Sequence, residues 1–344
     1  MNDEQQRQPT IGPSEWLIIA AAALLLWCGS CRFAHADTPA EILDRIDDDV
    51  RLLRAELEKP TPLPDPEPHP TPIITDIGTV LLQPLFHADN QRKPPEGSRR
   101  ITEAELRSPG IDGMTIRIIP QFLSVDGRWD FRFVDECVAL CRKTGDRYTL
   151  LLAGGGADPL AEKSLAFYEA AAKALGERYA SDPSCRGVHV TGAEDVGHSE
   201  EYFWGRPMPP AAMTAIKRMI VAWSNAFPRQ VILFAGTAND VAASREIIAY
   251  GNQVAPGRFL YKINALSAKM AMPDQWASTQ LVVDAGQAGS LIGFEMLDNS
   301  SAQRFGGTFD QSLAKLAEIE RLAGKSVSYL AIYRGDIAKA AQLR

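Results

Sequence analysis

A chain of 344 residues with 45% hydrophobic and 23% charged content can bury one large core and still leave segments outside it, so one principal domain with appendages is expected. A formal net charge of −7 at pH 7 excludes a general affinity for nucleic acid, which needs clustered basic residues to displace counterions. A neutral or cationic partner fits better.

Residues 1–36 read as an export segment: an apolar stretch from Trp16 to Cys28, then Ala34-His35-Ala36 in the small-x-small pattern of a signal peptidase site. The apolar stretch falls short of the roughly 20 residues of a membrane span. Asp3, Glu4 and Glu15 against Arg7 depart from the usual basic leader, so a retained membrane anchor is the alternative to cleavage. Either way the rest of the chain is expected outside the cytoplasm, as a periplasmic, extracellular or cell-surface protein. A lipid anchor at Cys31 is disfavoured because Cys28-Gly29-Ser30-Cys31 lacks an aliphatic residue three positions earlier. Beyond the leader, Cys137, Cys141 and Cys185 are expected as buried free thiols. His35, His69, His87, His189 and His198 supply no paired ligand spacing, so no metal and no cofactor is expected.

Residues 37–59 form the next expected unit. Thr38-Pro39-Ala40-Glu41 combines a hydroxyl N-cap, a proline at the first helical position and a glutamate able to close a capping box. Leu43, Ile46, Val50, Leu53 and Leu57 then recur at alternating spacings of three and four, as a short coiled-coil seam does. Self-association through residues 38–58 and packing of an amphipathic helix on its own domain are both open. From Pro60 to Pro72 every second residue is proline, which forbids helix and internal strand and predicts an extended spacer, about 3.1 Å per residue.

Residues 73–344 then alternate strand-like and helical runs. The strand candidates are Gly78 to Phe86, Met114 to Phe122, Tyr148 to Gly154, Gly187 to Gly192, Gln230 to Gly236, Arg258 to Ala265, Leu291 to Leu297 and Ser326 to Tyr333. They are short, apolar and rich in β-branched or aromatic residues, as strands covered on both faces should be. Helical patterns lie between them: Phe131 to Lys143, Glu162 to Tyr179, Ala211 to Phe227, Val241 to Tyr250, Asp274 to Ala285 and Phe309 to Ala323, with a short one from Ile337 to Leu343 at the end. This alternation predicts an α/β fold, a (β/α)8 TIM barrel, with two open-sheet domains as the alternative. In such a barrel the chemistry sits at the C-terminal ends of the strands.

Several stretches resemble a known family. Pro109-Gly110-Ile111-Asp112-Gly113-Met114, then Gly127-Arg128-Trp129-Asp130 with Asp135, then Leu150-Leu151-Leu152-Ala153-Gly154-Gly155 are similar to bacterial TIM-barrel glycoside hydrolases of the family 42-like and cellulase-like kind. Val188-His189-Val190-Thr191-Gly192 followed by Ser199-Glu200-Glu201 resembles their fourth strand and its loop. The resemblance covers about residues 109–300 and implies a retaining mechanism on a carbohydrate substrate, with the acid/base after the fourth strand and the nucleophile after the seventh. By that carry-over Glu201 fills the acid/base position, Glu194 is its alternative because it lies closer to the strand end, and Glu295 takes the nucleophile position.

A retaining enzyme needs two carboxyls roughly 5 Å apart, one protonated and one ionised. Glu295 follows Leu291, Ile292 and Phe294 into an apolar strand, where a carboxylate needs a partner, and Arg117 or Arg334 would supply one. Arg117, Gln121, Asn239, Asn264, Trp204 and Tyr333 are the residues expected to bind substrate, with Asp240, Lys262, Asp336, Trp129 and Trp276 also near strand ends. Gly154-Gly155-Gly156 lacks the spacing and the lysine of a phosphate loop and reads as a turn or room for substrate. The family pattern is not complete: Ala193 precedes Glu194, Glu200 precedes Glu201, and the second strand ends in Pro120-Gln121-Phe122. Those departures keep open an inactive barrel that binds glycans, or a surface scaffold protein.

Overall fold

The computed structural model of the chain describes residues 76–82, 100–125, 127–153, 158–195, 202, 204, 207–236, 240–266, 273–296 and 308–343. The leader, the helix expected over 37–59 and the proline-rich linker lie outside the described residues.

Eight parallel strands close into one barrel in the order β1 (Gly78–Leu82), β2 (Gly113–Ile118), β5 (Arg147–Leu152), β6 (Cys185–His189), β7 (Val231–Ala235), β8 (Phe259–Leu266), β9 (Leu291–Met296) and β10 (Tyr329–Ile332), and β10 pairs back onto β1. β3 (Ser124–Val125) and β4 (Arg128–Trp129) form a small antiparallel ribbon in the connection after β2. The closed sheet is the TIM barrel expected from the alternation, and it overturns the two-domain open-sheet alternative.

Local chemistry explains the element ends. The helix Phe309–Ala323 starts at Thr308, whose hydroxyl and the Gln311 side chain form a reciprocal capping box, and it stops at Gly324 in the left-handed region. The helices Glu162–Tyr179 and Phe309–Ala323 have the bounds their apolar periodicity predicts, whereas Val241–Val254 runs four residues beyond its expected end. The second strand is a correction: it ends at Ile118, and Pro120–Leu123 is a single helical turn. Pro120 has no N–H for the ladder but suits the first position of a helix. The C-terminal run is likewise a 3-10 segment, Arg334–Leu343.

Side chains alternate across the barrel wall. Ile77, Val80, Val231, Leu233, Leu260, Tyr329 and Ala331 come from opposite sides of the barrel and meet at its axis, forming an apolar plug. Their neighbours on the same strands, such as Ile232, Phe259, Tyr261 and Leu330, pack outward against the helices. Gly113 is demanded by a close approach, since a Cβ there would lie 1.9 Å from the Arg147 carbonyl oxygen.

At the N-terminal ends of the strands Asp182 is almost fully buried and organises the turn before β6. It accepts from the Tyr148 hydroxyl at 2.8 Å, from Arg142 Nη2 at 2.8 Å and from the Ser184 N–H at 2.9 Å. Arg258, also buried, donates to the Phe227 and Gln230 carbonyls at 2.9 and 3.0 Å, where the helix Pro210–Ala226 has run out of its own donors. Both contacts stabilise the fold and lie at the opposite end of the barrel from the C-terminal ends of the strands.

Cys137, Cys141 and Cys185 are buried and free, as expected. Burial pushes the Cys137 thiol up to about 12 and raises those of Cys141 and Cys185 as well. A thiol raised in the folded state contributes stability that is complete below its ordinary value of 9.0 and is lost as pH climbs from there towards about 12. The expected result is that iodoacetamide at about pH 8 leaves these three peptides unmodified in the native protein and labels them after denaturation. Peptide mapping checks it, and native labelling at any of the three would contradict the burial. Among the described residues no helix is long and apolar enough to cross a membrane.

Candidate functional site

Towards the C-terminal ends of the strands the interior turns from apolar to polar. The Thr115 hydroxyl from β2 lies 2.8 Å from that of Thr149 on β5 and 2.9 Å from the Tyr329 hydroxyl on β10. His189 of β6, 1% exposed, meets the Tyr329 ring edge-on at 5.6 Å. Lys262 of β8, fully buried, sets its Nζ 5.8 Å from the centroid of the same ring. Register explains the gathering. Leu260 belongs to the axial plug, so Lys262 and Asn264, two and four residues on, point the same way.

Glu295 closes this layer. Gly293 on β9 faces the axis, where a Cβ would meet Leu260 and the Tyr329 side chain, so Glu295 two residues later faces it too. Its side chain is 7% exposed. The Tyr333 hydroxyl donates to Oε1 at 2.5 Å, and the Lys262 ammonium lies 3.7 Å from Oε2. Lys262 Nζ also donates to Asn264 Oδ1. The two carboxylate oxygens therefore face different partners, a phenol on one side and a cation on the other, as a buried charge requires. Arg334, one of the partners expected for Glu295, instead pairs with Glu105 at 2.6 Å and donates to the Arg100 carbonyl. It follows β10 past the strand end and turns outward.

Glu194 has a different setting. Fully buried after β6, it accepts the Gly192 N–H at 2.8 Å. Burial first, and the Glu194 charge second, push the Tyr168 and Tyr202 phenols up. Tyr168 sits on the helix Glu162–Tyr179, and Tyr202 stacks on Phe234 at 4.6 Å, so the Glu194 carboxylate lies among groups of the helix-facing layer. Gly192, at φ 112°, leaves no room for a side chain beside Tyr168.

The remaining expected residues fall in several places. Arg117 is two residues beyond Thr115 on β2 and shares its axial face. Gln121 lies in the helical turn Pro120–Leu123. Trp204 is half-buried, with its Nε1 donating to the Ala193 carbonyl at 2.9 Å. Asp240 caps the helix Val241–Val254 and also accepts the Met208 N–H at 2.9 Å, which ties together the loops after β6 and β7. Glu201 and Asn239 lie outside the described residues. Sequence reasoning named Lys262 but not its pairing with Glu295. The signal was there: both residues fall on the axial phase of adjacent strands, and the register Lys262 opposite Gly293 puts them on a diagonal. No group of three or more His, Cys, Asp or Glu suited to a metal ion occurs among the described residues.

No protein-family model and no curated protein sequence matches this chain. Among solved structures, endo-glycoceramidase II from Rhodococcus sp. aligns at TM-score 0.47 and 12% identity over 76% of this chain and 75% of that one. The catalytic domain of a mannanase from Streptomyces sp. SirexAA-E aligns at TM-score 0.46 and 17% identity over 73% and 74%. The catalytic domain of β-amylase from Paenibacillus polymyxa aligns at TM-score 0.54 and 10% identity, over 77% of this chain and 94% of that one. With that catalytic domain the chain shares its fold, a closed (β/α)8 TIM barrel.

Proposed function

We propose that this barrel is a glycoside hydrolase that cleaves glycosidic bonds by double displacement, with Glu295 as the nucleophile and an acid/base from the loop after β6. The observation that carries the reading is Glu295 itself: a buried carboxylate on the axis, at the C-terminal end of the seventh barrel strand, held by Tyr333 and Lys262. An ionised carboxylate so held has its charge and orientation set before substrate arrives. In the first step Glu295 attacks the anomeric carbon while the acid protonates the departing glycosidic oxygen. In the second, water deprotonated by the same residue releases the sugar and frees Glu295.

Glu201 is the acid/base of this proposal, and Glu194 its alternative. The engagement of Glu194 with Gly192, and its place beside Tyr168 and Tyr202, favour Glu201. Arg117, Asn264 and Trp204, with Gln121 and Asn239, form the proposed carbohydrate-binding set. Export, with tethering or self-association through the N-terminal segments, completes the reading as a barrel presented on a spacer.

The test is hydrolysis of a panel of aryl glycosides and polysaccharides, followed by mechanism-based labelling with a 2-deoxy-2-fluoroglycoside. Turnover with a stable ester on Glu295 supports the proposal, and no turnover on any substrate favours a barrel that binds glycans without cleaving them. Tyr333→Phe removes a hydrogen bond to a charged oxygen, worth about 1.5–3 kcal/mol, so kcat is expected to fall about 10- to 100-fold. Steady-state kinetics on a panel substrate checks it, and an unchanged kcat would remove Tyr333 from the site.

A further inference from the structure

We propose that Lys262 is a positioning residue that sets the charge state of Glu295, so that the barrel uses a lysine on the neighbouring strand to keep its axial carboxylate ionised. The inference rests on the reading of Glu295 as the reactive carboxylate. Its geometry stands without that reading.

The two side chains are 0% and 7% exposed, so neither charge is shared with bulk water. In that setting a cation 3.7 Å from Oε2 opposes protonation of the carboxylate far more than it would at the surface. The Tyr333 hydroxyl on Oε1 also favours the ionised acid, but it carries no charge, so the Coulombic bias comes from the ammonium. Lys262 is itself held in place. Nζ donates to Asn264 Oδ1 and lies over the Tyr329 ring, and the Tyr329 hydroxyl is bonded in turn to Thr115 and, through it, to Thr149. The chain of contacts crosses the barrel from β5 to β9 and leaves the ammonium little freedom to swing away.

Other charged and titratable groups around Glu295 fit the same picture. β10 contributes Tyr329 and the residue just past its end is Tyr333, β8 contributes Lys262, and across the axis His189 of β6 and Arg117 of β2 share the interior face. On the outer side, the helix Pro273–Gln287 carries Asp284, which is paired with Arg245 at 2.8 Å on the solvent side of the wall. A nucleophilic carboxylate must be ionised, and the Lys262 ammonium on the adjacent strand, 3.7 Å from Oε2, favours ionisation. Arginine would keep the charge, glutamine the polarity, and methionine only the apolar stem.

The experiment uses the full chain labelled with 13C at the glutamate carboxyl, with Glu295→Gln identifying the Glu295 resonance by its loss. In Lys262→Met the titration midpoint of Glu295 is expected at least about one pH unit above wild type, a tenfold gain in proton affinity. Lys262→Arg is expected to bring it back, and the acid limb of kcat/KM on a panel substrate to move with it. A midpoint unchanged in Lys262→Met would overturn the proposal. If that variant fails to fold, Lys262→Gln takes its place in the titration, and thermal unfolding of Lys262→Gln, Glu295→Gln and the Lys262→Gln/Glu295→Gln double variant decides the coupling. A double variant that loses less than the sum of the two single losses supports a coupled pair, and additive losses overturn it. The glycosidase reading fails separately, by absence of turnover in the wild type, and that failure leaves the titration result standing.

Discussion

Glu295→Gln is expected to lose on the order of 10⁴-fold in kcat while the chain remains folded. Glutamine keeps the size of the side chain and an oxygen for the Tyr333 hydroxyl, so the 2.5 Å contact has an acceptor. It cannot form the ester, and it faces Lys262 as a neutral amide. Leaving one charge of a buried pair alone costs about 3–5 kcal/mol, and the bond from Lys262 to Asn264 Oδ1 offsets part of that cost. Circular dichroism and thermal unfolding measure the stability, and turnover on the substrates found in the panel measures the activity. If Glu295→Gln retains wild-type turnover, Glu295 is not the nucleophile, whatever else lies in the barrel. Adding azide or formate to Glu295→Ala, which empties the position that glutamine still fills, gives a second readout: an external anion that restores turnover by taking the vacant nucleophile position supports the assignment, and no rescue by either argues against it.

The second large effect lies at the opposite end of the barrel. Asp182→Ala is expected to destabilise the fold by about 3 kcal/mol and leave kcat and KM as they were. The mutation strips an acceptor from the Tyr148 hydroxyl and from the Ser184 N–H, and Tyr148 is fully buried. Arg142, with a side chain 60% exposed, is repaid by solvent, so its two contacts with Asp182 add little. For a domain of this size that loss corresponds to a fall in Tm of about 6–12 °C, read by calorimetry. A change of less than about 1 kcal/mol would mean that the turn before β6 relaxes to satisfy Tyr148 by another route.

The fold was legible because its signals are local. Short apolar strands and amphipathic helices recur in strict alternation, and the caps at Thr308 and Gly324 are written in the residues themselves. The second strand was misjudged at Pro120, where an apolar run continued through a residue that cannot donate to the ladder. The site was half legible. Apolar neighbours marked Glu295 as an expensive carboxylate and pointed to Arg117 or Arg334 as its partner, but Lys262 was not singled out for that role, because the three cations look equally available along the chain. In the fold Arg334 lies beyond the strand end and turns to Glu105, while Lys262 sits on the inward phase of an adjacent strand.

From the chain alone came the element order, the closed-barrel class and Glu295 as a carboxylate that burial makes costly, since each follows from periodicity and from the cost of burying a charge. Tertiary structure decided which charge answers it and which way Glu194 turns. Those depend on strand register and on the face of the wall a side chain occupies, quantities set by pairing between residues far apart in sequence.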